Sequence, residues 1–191
     1  MNRRDALKYT GLAFGYAATA GTLATMMQSC QADVSSDGWT PSTLTNDQVK
    51  LVAEVAETLI PATDTPGAKD VMVHRYIDSW LTGFLTDENR KEAVASIATL
   101  ETYLNEAGSG KFADLSAEEK LEILTALNKE AIGAEDKNPV QQAYLSMKGQ
   151  VINTYFTSEK VGEEVLNYLP VPGPYESCIP YEEVGKVYSL S

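Results

Sequence analysis

The sequence predicts an all-α fold, a single helical domain of about five main helices followed by an extended, proline-rich C-terminal segment. Three observations carry this expectation. Apolar residues recur at three- and four-residue spacing in five successive stretches. Capping residues open several of those stretches, and glycine or proline closes the first and the third. No run of alternating β-branched residues is long enough to make a strand.

The first helix starts at Thr45-Asn46-Asp47-Gln48, a capping-box pattern, and carries Val49, Val52, Ala53, Ala56, Leu59 and Ile60 up to Pro61. A loop from Pro61 to Lys69 follows, with two prolines and Gly67. The second helix places Val73, Ile77, Trp80, Leu81 and Phe84 on one stripe. The third begins near Asp87, steps through Ala93, Ile97, Leu100 and Leu104, and stops at Gly108-Ser109-Gly110. Ser116-Ala117-Glu118-Glu119 is a second capping box, ahead of Leu121, Leu124, Leu127 and Ala131. Asn138 as N-cap and Pro139 at the first helical position open a fifth helix with Val140, Tyr144, Met147, Val151 and Tyr155. These stripes read as core, since an amphipathic helix needs a buried face to be stable. A short helical piece near Ser158–Leu166 precedes four prolines in eleven residues, Pro170 to Pro180, which cannot propagate a helix. A tail of prolines and tyrosines either wraps its own domain or lies across a partner, and Pro172, Tyr175 and Tyr181 are its candidate partner contacts.

Charge excludes whole classes of function. The chain has 191 residues and a net charge of −12. Its first 29 residues hold Arg3, Arg4 and Lys8 against Asp5, which leaves −14 for the remainder. A surface that acidic repels phosphate backbones and anionic headgroups, so nucleic acid is not an expected partner. Membrane attachment then requires an anchor. One histidine and two cysteines, with no CxxC, CxxCH or HExxH pattern, speak against zinc, iron–sulfur and haem sites. No GxGxxG or phosphate-binding loop is present, so no cofactor is expected on this chain.

The N-terminus supplies such an anchor. Arg3 and Arg4, followed by Leu7 and Lys8, fit the twin-arginine export pattern. Gly11 to Met27 is uncharged but only mildly apolar, too short and too weak for a membrane span. Met27-Gln28-Ser29-Cys30 resembles a lipobox, with Cys30 as the lipidation site. The expected organisation is therefore a signal peptide over 1–29, a flexible tether over 30–44, the helical domain over 45–169 and the Pro/Tyr-rich segment over 170–191. The expected location is the periplasm, tethered to a membrane. The twin-arginine route carries folded proteins, often with an inserted cofactor, yet this chain has no cofactor motif. A chain of this kind can travel docked to a cofactor-loaded partner that lacks a signal.

Three stretches carry a resemblance to a known family. They are Thr58–Ala68 (TLIPATDTPGA) leading into Val73–Asp78 (VHRYID), Tyr155–Glu159 (YFTSE), and Tyr168–Glu176 (YLPVPGPYE) through Cys178–Gly185 (CIPYEEVG). Together they resemble the gluconate 2-dehydrogenase subunit 3 family. The resemblance implies a small subunit of a membrane-associated flavin dehydrogenase acting on sugars or alcohols. Its large subunit would be a glucose–methanol–choline type flavoprotein that binds FAD and performs the hydride chemistry, and a cytochrome c often takes the electrons. The small subunit would provide the export signal and stabilise the flavoprotein. The lipobox departs from the usual three-subunit arrangement, and gluconate itself does not carry over to this chain.

A competing reading uses the acidic residues around the histidine. His74 and Asp78 are four apart and share a helix face beside the apolar stripe. With Asp64 and Glu57 they could form a metal site or an acid–base pair in a stand-alone lipid-anchored periplasmic protein. The plainer reading is a His–Asp pair on the helix surface, since a lone imidazole lacks a companion ligand or nucleophile. Asp64 and Thr65 before Pro66-Gly67 read as a turn whose side chains cap backbone, or as a loop facing a partner. Cys178 has only acidic neighbours, the wrong sign for a reactive thiol.

Overall fold

Local capping sets the helix starts in a computed structural model that describes residues 38–171, 173–174 and 178–189. Thr45 Oγ1 accepts from the Gln48 N–H at 3.2 Å while Gln48 Oε1 accepts from the Thr45 N–H at 3.0 Å, which opens α1, Asn46–Leu59. Ser116 and Glu119 exchange the same pair of bonds at the start of α4, Ala117–Gly133. Asn138 does so with Gln141 ahead of α5, Pro139–Phe156. Thr86 Oγ1 accepts from the Asn89 N–H at 3.3 Å to begin α3, Asp87–Ala107. Each such cap is worth about 1 kcal/mol.

The second helix, α2, Val73–Phe84, is set by other means. Met72 precedes it in the left-handed conformation, φ 56°, without a side-chain cap. Its far end is closed by Arg90, whose guanidinium donates to the carbonyls of Leu81, Thr82 and Leu85 at 2.9 to 3.2 Å. A 3-10 turn, Phe112–Asp114, links α3 to α4, and two short helices follow, α6, Glu159–Glu164, and α7, Tyr181–Val184. Among the described residues there is no strand, only one parallel bridge between Asn167 and Tyr188. The all-α expectation holds.

Residues Thr40–Ser191 form one compact unit; of the other, Met1–Trp39, only Gly38 and Trp39 are described. In the larger unit α3 and α4 pack on α5, and α1 packs on α2. Val52, Val55, Leu81, Leu100, Leu104, Leu127, Tyr144 and Val151 are fully buried. Each such aliphatic side chain stabilises the fold by about 1.5–3 kcal/mol relative to exposure. Phe112, on the 3-10 turn, is also fully buried and closes one end of the core. Two residues assigned to core stripes lie outside it: Phe84 is 76% exposed and Leu121 56%. In the first turn of α4 the position turned inward is Lys120, only 8% exposed. Its ammonium reaches Glu54 Oε2 of α1 and the Ala113 carbonyl, both at 2.9 Å. A second lysine, Lys69, pairs with Glu54 Oε1 at 2.6 Å.

Gly108 ends α3 as expected, but not by adopting a left-handed conformation. Its φ is −84°, and Ser109 beside it takes φ 54° instead. A Cβ on Gly108 would stand 2.5 Å from Leu115 Cδ1, so a larger residue there would have to turn the Leu115 side chain aside.

Candidate functional site

Asp78 lies on α2 and is 1% exposed. Its carboxylate gathers three consecutive backbone donors from the chain entering α1: Ser42 N–H at 2.7 Å, Thr43 N–H at 3.0 Å and Leu44 N–H at 2.8 Å. The Thr43 and Thr82 hydroxyls meet at 2.7 Å alongside, and Thr82 Oγ1 donates to the Asp78 carbonyl. A buried carboxylate is stable only when its lone pairs are occupied, and here backbone amides occupy them. His74, one turn earlier, is 4% exposed. The surface His–Asp pair is thus corrected: both residues are inside, Asp78 beneath the chain that enters α1. The last residues of the assigned tether, Thr40 to Leu44, accordingly belong to the folded unit, and Leu44 is itself buried.

Asp64 sits elsewhere, exposed at the tip of the loop between α1 and α2. That loop is firmly held. Glu57 of α1 accepts from the Ala62 N–H at 3.1 Å and the Lys69 N–H at 2.9 Å, so one carboxylate ties both arms. The Ala68 N–H donates to the Ile60 carbonyl at 2.9 Å and the Gly67 N–H to Asp70 Oδ2 at 2.8 Å. From α5, the Tyr155 hydroxyl donates to the Pro66 carbonyl at 2.7 Å. Gly67 is buried, and a Cβ there would fall 2.6 Å from Ala62 N and within 2.8 Å of both Glu57 oxygens. Glu57, drawn from the sequence as a possible acid or ligand, is the loop's clamp. Among the described residues no three His, Cys, Asp or Glu side chains come together as a metal-holding group.

Electrostatics single out Glu54. Burial works to raise its pKa, but hydrogen bonds and charges from Lys69 and Lys120 outweigh that and hold it below the ordinary value. This charged cluster ties α1, the loop and α4 together. Sequence spacing could not show it, since Lys120 is 66 residues from its partner.

The tail is rooted beside α6. The Asn167 N–H donates to the Val187 carbonyl at 2.8 Å, and the Ser189 N–H returns to the Asn167 carbonyl at 3.1 Å. Lys186 Nζ donates to the Glu164 carbonyl at 2.7 Å. Between these ties Tyr168, Leu169, Val171, Ile179 and Tyr181 are exposed, Tyr181 by 64%. The tail's backbone thus returns to its own domain, while these side chains stay open to solvent. Cys178 is a free, exposed thiol. Pro172 and Tyr175 lie outside the described residues, as do Arg3, Arg4, Leu7, Lys8 and Cys30. No helix among the described residues is long and apolar enough to cross a membrane.

Comparison with known proteins adds one finding. The family model described as gluconate 2-dehydrogenase subunit 3 matches residues 46–173, from the start of α1 into the tail. No curated protein and no solved structure matches the chain.

Proposed function

The chain belongs to the gluconate 2-dehydrogenase subunit 3 family, and from that premise we propose that it is the non-catalytic small subunit and export escort of an FAD-dependent dehydrogenase. The partner in this reading is a glucose–methanol–choline type flavoprotein that oxidises a sugar or alcohol, with a cytochrome c as electron acceptor. Arg3 and Arg4 direct both proteins through the twin-arginine route, and a lipid on Cys30 tethers them on the periplasmic side of a membrane.

The observation that carries the reading is how the acidic residues are used. Asp78 is committed to three backbone N–H groups and Glu57 to two, so each carboxylate holds chain in place. A general base must instead present a free lone pair within reach of a substrate proton. Several large apolar and aromatic side chains are left facing outward, which suits binding to a protein.

The experiment is co-purification with the FAD-binding subunit encoded in the same genome. The expected result is a complex with a flavin absorbance spectrum that survives gel filtration. A chain that stays a soluble monomer beside that flavoprotein overturns the proposal.

A further inference from the structure

We infer that one end of the helical unit is the surface that docks the catalytic subunit, and that the partner presents there an apolar patch ringed by lysine and arginine. The inference rests on the accessory-subunit reading and adds to it a place and a chemistry.

Three elements converge at this end. Helix α1 finishes at Leu59, α2 begins at Val73, and Tyr155 in the last turn of α5 reaches the Pro66 carbonyl of the loop between them. Phe156 stands edge-on to Tyr155 with ring centroids 5.2 Å apart, and its own side chain is 40% exposed. Ile152, one turn earlier on α5, is exposed, as are Met72 and Tyr76, one turn apart at the start of α2. The tail is rooted just beyond, since α6 follows α5 directly. Of the large exposed apolar residues, Phe84 at the far end of α2 and Ile132 in the last turn of α4 stand apart from this group. Concentrations of exposed apolar surface mark interaction sites more often than scattered ones do.

The backbone here is already in its binding shape. Glu57 ties both arms of the loop, Gly67 packs against it, and Tyr155 pins its far side. Ordering that is complete beforehand need not be repeated on binding. Met72 is held in a left-handed conformation that non-glycine residues rarely adopt, and its side chain still faces solvent. Strain of that kind persists where the surroundings enforce it and function uses it.

Charge selects the occupant. The loop, the first turn of α2, α6 and the tail carry seven carboxylates against three lysines and Arg75 among the described residues. Two of those lysines are engaged internally, Lys69 with Glu54 and Lys186 with the Glu164 carbonyl. A second copy of this chain would bring the same acidic rim against itself, and anionic lipid or nucleic acid would be repelled. A protein with an apolar centre and a basic rim fits.

The test uses the full chain co-expressed with the FAD-binding subunit of the same genome. Phe156→Asp and Met72→Asn alter this end, and Asn tolerates the left-handed backbone at 72. Phe84→Asp and Ile132→Asp alter exposed apolar residues elsewhere. Affinity should fall at least about ten-fold for the first pair and stay within about two-fold for the second. Raising salt should weaken the wild-type complex. Alkylation of Cys178, followed by peptide mass, should slow in the complex. Thermal unfolding checks each variant's fold, and Met72→Asn retains the test if Phe156→Asp does not fold. A wild-type chain that fails to bind the flavoprotein overturns the accessory-subunit reading itself. Wild-type binding that persists in both docking variants, or is lost equally in the two control variants, overturns this inference alone. A dimer of the isolated chain that Phe156→Asp dissolves overturns the choice of occupant.

Discussion

Replacing Asp78 should unfasten the chain's entry into the helical unit. The carboxylate accepts from three amides that differ in access to water: Ser42 is exposed, Thr43 half-buried and Leu44 buried. Hydrogen bonds to a charged group contribute about 1.5–3 kcal/mol when water cannot replace them. For Asp78→Ala we assign about 2 kcal/mol to the Leu44 bond, about 1 to Thr43 and about 0.5 to Ser42, whose amide rehydrates. The sum, about 3.5 kcal/mol, is a large share of the roughly 5–15 kcal/mol that holds a domain. It corresponds to a Tm lower by about 7–14 °C for a chain of this size. Asp78→Asn should lose less, about 1–2 kcal/mol, because an amide oxygen in the place of Oδ1 still accepts from Thr43 and Leu44. The displaced contact is then the exposed Ser42 N–H. Urea unfolding at constant m measures both losses, and hydrogen exchange at the Leu44 amide should quicken in the alanine variant only. Equal losses in the two variants with a still-protected Leu44 amide would refute the assignment.

Two further perturbations bear on the loop and on Glu54. Gly67→Ala drives a methyl group to 2.6 Å from Ala62 N and against the Glu57 carboxylate, so backbone must shift; a loss of about 1–3 kcal/mol by urea unfolding is expected, and a neutral result would mean the loop is not tightly held. Because the pKa of Glu54 is depressed in the folded state, the stability it contributes is present above its ordinary value of 4.5 and lost as pH falls below it. The Tm difference between wild type and Glu54→Gln should therefore be widest near neutral pH and shrink in acid, and a gap independent of pH would contradict this.

Local chemistry was legible in the sequence and long-range pairing was not. The capping boxes at Thr45 and Ser116 and the Asn138-Pro139 start are written in four adjacent residues each, and all three open the helices expected of them. The stripes located the core but not its edges. At the end of α2 and the start of α4 a spacing rule leaves about a turn of freedom, so Phe84 and Leu121 stay outside while Lys120 turns in. Asp78 was noticed for its neighbour four residues away, whereas its partners lie 34 to 36 residues upstream. The turn at Asp64-Thr65-Pro66-Gly67 was readable from composition. That Glu57 would clamp it, and Tyr155 brace it from 89 residues away, depends on helix packing that no local pattern records. The family resemblance rests on that same loop, on the Tyr155 segment and on the stretch from Tyr168 to Gly185; the family match spans the first two and ends within the third, at residue 173. These residues hold one end of the molecule in shape.

The measurement closest to the proposed role is the location of the flavoprotein. Co-expression of the full chain with a tagged FAD-binding subunit, followed by cell fractionation, should place flavin-loaded partner outside the cytoplasm, with the membrane to which this chain tethers it. Changing Arg3 and Arg4 of this chain to lysine should leave both proteins in the cytoplasm, still bound to each other. A flavoprotein that reaches the periplasm whether or not the arginine pair is present would contradict the escort role.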